Sequence, residues 1–347
     1  MAVVTNATLA KIKTEIQNQN AVLRNFIGAY ATNPWSGLLA DVRAGYASQL
    51  YNIGDEINTT YTLDGAKYDF PWVVANIDRE FEMADGSTRK GLLLQAKYAC
   101  IEEIQFDAPE STDATEDTAL DGWYYWGLTG TTYTKLNVAT GDTLPYGDYD
   151  SIVKNDINHL DTVLYGYNNY KMSAIRQWLN SDGGKGAWWT SQHPGDQPPT
   201  QLDTRAGFLK GLDPQFASIV SPVKIQVATN TVTDGGLTDV MYDQFWLPSL
   251  EEVYGVPQAP GIEGSYFPYW KEATGLDEPS NGSSSNPNEA RKIHRADLPT
   301  GSAVSVRLRS ANRGSAYNVW YLYSSAYLYY YGSSHYSYRA FPACAIC

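Results

Sequence analysis

From Thr59 to Ala99 the chain reads TTYTLDGAKYDFPWVVANIDREFEMADGSTRKGLLLQAKYA, a run that alternates with period two and is broken by two Asp-Gly pairs. That period is the repeat of a strand with two unlike faces. Asp64-Gly65 and Asp85-Gly86 supply residues that accept positive φ, which tight hairpin turns need. The segment therefore predicts successive hairpins.

Helical spacing flanks this sheet, so the expected class is α+β. Asn6 is a plausible N-cap, and Leu9, Ile12, Ile16, Leu23 and Phe26 recur at helical intervals up to about Tyr30. Gln19 interrupts that seam as register-setting polar residues do in coiled coils. Two readings stand for this segment: packing on its own domain, or an oligomer seam. A second helix is expected from Gly37 to Tyr51, after Pro34. Residues 107–122 are an acidic, turn-rich loop. WYYWGLTGTTYTKLNVATG reads as a hairpin on an insertion near 107–150. Helical spacing returns from Tyr149 to Asn180 and stops at Gly183-Gly184. FWLPSLEEVYG predicts a strand entering a helix, with Ser249 and Glu252 as its capping box. LDEPSNGSSSNPNEARK is a polar loop. The last fifty residues return to strand pattern, with turns at Ser324-Ser325-Ala326 and at Gly332.

Composition excludes several classes. A net charge of −13 argues against a nucleic-acid binder. No apolar run approaches the roughly 20 residues of a membrane span, so no membrane insertion is expected. MAVVTNATLAKIKTEIQ lacks the basic start and apolar stretch of a signal peptide. Three cysteines are too few and too odd in number for a disulfide framework, so a reducing cytoplasm is the expected site of synthesis.

Catalytic signatures are absent: there is no HExxH, GxSxG, Walker loop or EF-hand. His159, His193, His294 and His335 are widely separated without metal-ligand spacing, and each reads as a surface or loop histidine. Cys344 and Cys347 form a C-x-x-C, but they follow strand pattern at the end of the chain, where no helix N-terminus lowers a thiol pKa. The pairs Glu102-Glu103 and Glu251-Glu252 are structural: neighbours on a strand point to opposite faces, and Glu252 is a cap. No catalytic residue, no metal and no cofactor are expected.

The stretch YNVWYLYSSAYLYYYGSSHYSYRAF (Tyr317 to Phe341) holds nine of the 27 tyrosines. One reading is an aromatic strand pair inside a barrel or sandwich. Tyrosines occupy both parities of YLYYY, however, so one set faces water in any register. Tyr with Ser and Gly is the chemistry of a paratope, where stiff amphipathic rings combine with adaptable hydrogen bonding. Leu298 to Cys347 contains no Asp or Glu but four arginines.

SVRLRSANRGSAYNVWYLYSS and YSYRAFPACAI together resemble the variable region of proteins diversified by retroelements, which have a C-type-lectin-like fold shared broadly with formylglycine-generating enzymes. DFPWVVANID, MSAIRQWLN and FWLPSLEEVYG resemble that fold's opening strands, helix and pre-closing segment. The resemblance covers 52–347, leaving 1–51 as a helical stalk or docking segment, and makes 312–338 hypervariable. In such proteins, randomised AAY codons yield Tyr, Ser, Asn, His, Gly, Ala and Asp among others, but never Trp. Between Ser315 and Tyr338 only Trp320 falls outside the permitted set. The resemblance implies that the ligand-binding positions are Ser315, Tyr317, Asn318, Tyr321, Tyr323, Tyr327, Tyr329, Tyr330, Tyr331, Ser333, Ser334, His335, Tyr336 and Tyr338. Leu322, Leu328, Arg339, Phe341 and Pro342 are then scaffold, Trp320 is a core anchor, and Arg307 and Arg309 brace the fold. It further implies a receptor-binding protein of a bacteriophage particle, assembled in the host cytoplasm. Such a protein contacts a host-surface protein or glycan, joins other virion proteins through its N-terminal segment, and is a homo-oligomer, with a trimer favoured. Two alternatives stand beside this: a structural virion protein with its aromatic stretch in an oligomer interface, and a formylglycine-generating-type oxidase.

Overall fold

The computed structural model describes residues 35–110, 165–193, 196–275 and 288–347, together with Glu15, Gln19, Asn33 and the backbone of three strands within 124–145. The expected seam from Asn6 to Tyr30 lies outside these residues apart from Glu15 and Gln19, as do the acidic stretch after Glu110 and residues 276–287 of the polar loop.

Instead of one helix from Gly37 to Tyr51 there are two, α1 (Ser36–Arg43) and α2 (Ala47–Leu50). Gly45 adopts φ 76° between them, and its amide closes back onto the Val42 carbonyl. The expected hairpins follow as β1 (Glu56–Leu63), β2 (Ala66–Glu82) and β3 (Thr88–Ala96). Leu63 pairs with Ala66 around Asp64 and Gly65, whose φ values of 48° and 84° are those of a type I′ turn. At the second turn Asp85 Oδ1 accepts from the Ser87 amide and hydroxyl, at 2.8 and 2.6 Å. β4 (Glu103–Gln105) comes next, followed by β5 (Tyr124–Thr129), β6 (Thr132–Asn137) and β7 (Thr143–Pro145), the small sheet of the insertion.

Beyond these come α3 (Ala174–Leu179), α4 (Phe208–Gly211), α5 (Pro214–Ala217), β8 (Val223–Ala228), β9 (Thr238–Asp243), β10 (Phe245–Trp246), α6 (Leu250–Tyr254) and α7 (Pro268–Thr274). The chain closes with β11 (Val306–Ala311), β12 (Asn318–Leu322), β13 (Leu328–Ser333), β14 (Ser337–Arg339) and β15 (Ala343–Ile346). The fold is thus mixed α and β, mostly sheet, with few and short helices.

Two five-stranded sheets carry it, ordered β1-β2-β3-β15-β10 and β13-β12-β11-β14-β4. Only β11 and β14 pair in parallel within them. Two short crossings between the sheets run side by side, one from β3 to β4 and the other from β14 to β15. The amides of Ala96 and Cys100 donate to the carbonyls of Pro342 and Ala340 there, at 2.8 and 2.9 Å. Buried Gln95 donates through Nε2 to both Phe341 and Pro342. Cys344 and Cys347 are therefore packed in and after a central strand, and burial pushes the Cys344 thiol well up, opposite to a redox thiol.

Between the first sheet and the helices lies an aromatic core. Phe208 of α4 packs 5.5 Å from Tyr61, Trp178 and Phe245 alike. Tyr61 donates its phenol to buried Glu102 at 2.7 Å, while Glu103 faces outward to Arg339, so this pair does divide between opposite faces.

One buried network of charges joins α6 to β11 and β8. Ser249 and Glu252 form the expected capping box of α6. The same Glu252 receives Arg309 of β11, which also donates to the carbonyls of Leu247 and Glu263. Glu263 in turn accepts from Ser310 and from the Ala228 amide of β8. Arg309 is thereby a brace. Removing one member of such a network strands the other charge.

Two outcomes are expected. Glu252→Ala, which deletes both a cap and a counter-charge, lowers the unfolding free energy by about 3–5 kcal/mol in urea titration. Burial raises the Glu102 carboxyl, so the stability tied to its protonated form is complete below the ordinary carboxyl pKa of 4.5 and is lost as pH rises through the higher folded value. Glu102→Gln, which stays uncharged, therefore melts higher than wild type at pH 7, and the two curves converge below that pKa.

Candidate binding face

The aromatic stretch forms the β12–β13 hairpin and the strand-like return through β14. Its turn is where the sequence placed it: the Ala326 amide donates to Tyr323 at 2.8 Å, and Ala326 takes φ 66°. The second expected turn, at Gly332, is not a turn. Gly332 lies inside β13 opposite Val319, and the chain reverses afterwards, where the Tyr336 amide donates to Ser333. Glycine is needed there for room. A Cβ would fall 2.7 Å from the Tyr321 ring and press on the Arg307 guanidinium.

Arg307 explains this crowding. It is fully buried with no carboxylate of the described residues beside it, and it donates instead to the carbonyls of Gly332, Ser333 and Tyr336. Its guanidinium lies 4.5 Å from the Tyr338 ring centre and 5.9 Å from that of Tyr321. Burial pulls its pKa down to about 10, which leaves it charged at neutral pH. One cation thus ties the end of β13, the following turn and two rings together.

β13 is the edge of its sheet. Tyr329, Tyr330 and Tyr331 are consecutive and all exposed, as are Tyr323 and Tyr336. Tyr329 and Tyr331 lie 5.7 Å apart, whereas Tyr330 packs 5.3 Å from half-buried Trp320 and donates its hydroxyl to Tyr331 at 2.9 Å. Beneath them Tyr321 meets Tyr329 edge-on at 5.5 Å and stacks on Tyr338 at 4.9 Å. Burial, and then Tyr338, push the Tyr321 phenol up, so it remains a hydrogen-bond donor. Tyr327 is half-buried against Tyr323 at 5.0 Å.

The other expected positions divide. Ser315, Tyr317, His335 and Tyr338 are half-buried. Asn318, Tyr321, Ser333 and Ser334 are buried, and Ser334 spends its hydroxyl on the Tyr317 carbonyl at 2.7 Å. These four hold the scaffold rather than present atoms to solvent. Among the expected scaffold residues, Leu322 and Phe341 are buried and Leu328 is half-buried.

Sequence reasoning missed the support that residues 165–170 give this stretch. Asn168 Nδ2 donates to the carbonyls of Ser315 and Asn318 at 2.7 and 2.9 Å. The Tyr165 carbonyl accepts the His335 amide at 2.8 Å, and the Tyr165 ring lies 4.7 Å from that of Tyr317. Asparagine just ahead of the helix MSAIRQWLN was the available signal, but its partners lie about 150 residues away. Arg313 adds a tie from the other side, donating to the Gly236 carbonyl at 3.2 Å.

The result is an edge hairpin of mutually packed rings on a cation-braced, amide-clamped base. Such a surface offers flat apolar area and phenolic donors with little side-chain entropy left to lose. Residues 149–346 match the model of a domain of unknown function, DUF6273, and the chain belongs to that family. β1 to β4 precede the matched span yet complete both large sheets. Comparison with curated proteins and with solved structures finds no match.

Thermal or urea melts separate face from base. Gly332→Ala, which displaces Arg307 or Tyr321, is expected to cost about 1–3 kcal/mol. Tyr331→Ser removes a solvent-facing ring and is expected to change stability by no more than about 0.5 kcal/mol.

Proposed function

We propose that the chain is a non-catalytic ligand-binding protein whose contact surface is the aromatic edge formed by Tyr323, Tyr327, Tyr329, Tyr330, Tyr331 and Tyr336. The observation that carries this reading is the exposure of three consecutive tyrosines on an edge strand whose base is held rigid by buried Arg307. A folding core has no use for rings at both parities, and a merely soluble surface would carry charge. The likeness of the tail motif to retroelement-diversified proteins extends the proposal. In that reading the domain is C-type-lectin-like, the exposed positions are the varied ones, and the protein is a receptor-binding component of a bacteriophage particle that contacts a host-surface protein or glycan. An oligomeric display would add avidity to weak single contacts.

A second reading rests on the same edge. The outer side of β13 pairs with no strand among the described residues, so it could add to the sheet of another copy in a particle.

One set of variants tests both. Changing Tyr329, Tyr330, Tyr331 and Tyr336 together to serine is expected to leave the melting temperature within a few degrees of wild type. Adsorption of the full chain to susceptible bacteria should then fall at least tenfold, about 1.4 kcal/mol. Unchanged adsorption would remove the face from the proposal, and a drop in oligomer mass by light scattering would favour the particle-contact reading. Diversification is tested in the gene. The codons from Ser315 to Tyr338 should share a pyrimidine third base and have a near-identical adenine-rich copy nearby; mixed third bases without a copy would sink that part.

A further inference from the structure

The fold also gathers side chains that chain order scatters. Asp107 follows β4, and His193 and Asp196 lie in the long loop after α3; one donor atom from each lies within 4.8 Å of the other two. Each aspartate is oriented by a backbone amide. The Tyr167 amide donates to Asp107 Oδ2 at 3.2 Å, and the Gln192 amide donates to Asp196 Oδ2 at 2.8 Å. The remaining oxygen, Oδ1 in both residues, is buried and accepts no hydrogen bond from the described residues. Asp107 is 1% exposed and Asp196 6%. No lysine or arginine among the described residues pairs with either.

Two buried carboxylates aimed at one point need either a shared proton or a cation between them. The third member of the set discriminates. His193 Nδ1 lies 3.6 Å from Glu110 Oε1, and metal-ligating imidazoles commonly carry a carboxylate at the nitrogen that does not bind the ion. The Tyr167 ring packs edge-on against His193 at 5.3 Å and closes that side.

We propose that Asp107, His193 and Asp196 bind a divalent first-row transition cation of the zinc or manganese type, with Glu110 orienting the imidazole. Metal–ligand bonds of about 2.0–2.2 Å place neighbouring donors about 3–3.5 Å apart, so side-chain shifts of about 1 Å close the set. An imidazole donor favours such ions over calcium or magnesium, which prefer all-oxygen sets. The site lies directly behind the aromatic stretch. The Asp107 amide donates to the Ser334 carbonyl at 3.1 Å, and Tyr167 sits between Tyr165 and Asn168, the two clamps of that stretch. A bound ion therefore stiffens the base of the hairpin.

The test uses the full chain stripped with EDTA and returned to buffer containing zinc or manganese. The expected result is about one ion per chain by elemental analysis after gel filtration, and a rise in melting temperature of about 5 °C at saturation. Asp107→Asn with Asp196→Asn, which relieves the repulsion and keeps the shape, should fold and lose both responses. His193→Gln should weaken the ion at least tenfold. Absence of any shift, a shift that survives the double variant, or a response to calcium alone would each overturn the site.

Discussion

Arg309 is the charge on which the two sheets depend. It is buried on β11 and reaches Glu252 at the cap of α6, the Leu247 carbonyl just after β10 and the Glu263 carbonyl. β10 belongs to the first sheet and β11 to the second, so this one guanidinium spans the junction between them. Arg79 of β2 approaches the same Glu252 at 3.7 Å, and Glu263 links on to Ser310 and β8. Burial of so much charge is tolerated because both carboxylates and the two terminal nitrogens of Arg309 find fixed partners. That requirement specifies the relative position of the elements more sharply than apolar packing, which accepts many arrangements.

Two residues along the same strand, Arg307 does a different task with the same chemistry. Its partners are carbonyls and rings, not carboxylates, so it pins backbone geometry instead of neutralising charge. The exposed tyrosines of β13 inherit their order from it. Tyr321 and Tyr338 pack between the guanidinium and the surface, and Tyr329 rests on Tyr321. The binding reading and the cation site meet in the 165–170 segment, which clamps Ser315, Asn318 and His335 from one side and orients Asp107 from the other.

Much of this framework was legible in order along the chain. The Asp64-Gly65 and Asp85-Gly86 hairpins and the Ser249/Glu252 box are local devices, decided by residues within a few positions of one another. The strand pattern of the last fifty residues was equally visible. Gly332 reads as a turn because glycine in a polar-aromatic run is an ordinary turn signal, while its real cause, the guanidinium of Arg307, comes from 25 residues away. Spacing along the chain gives the histidines no ligand set, because it cannot show that the loop after α3 returns His193 and Asp196 to Asp107.

What the sequence determined by itself was therefore the local alphabet: period-two strands, turn glycines, helix caps, and tyrosines at both parities that had to leave some rings in water. Which rings those are was decided only in three dimensions. Tyr321 and Tyr331 sit ten residues apart with the same chemistry, yet one lies under Arg307 and Tyr338 while the other faces solvent. Burial depends on what long-range partners cover a side chain, and those partners, Arg307, Asn168 and Asp107 among them, come together only when distant strands and loops close on each other.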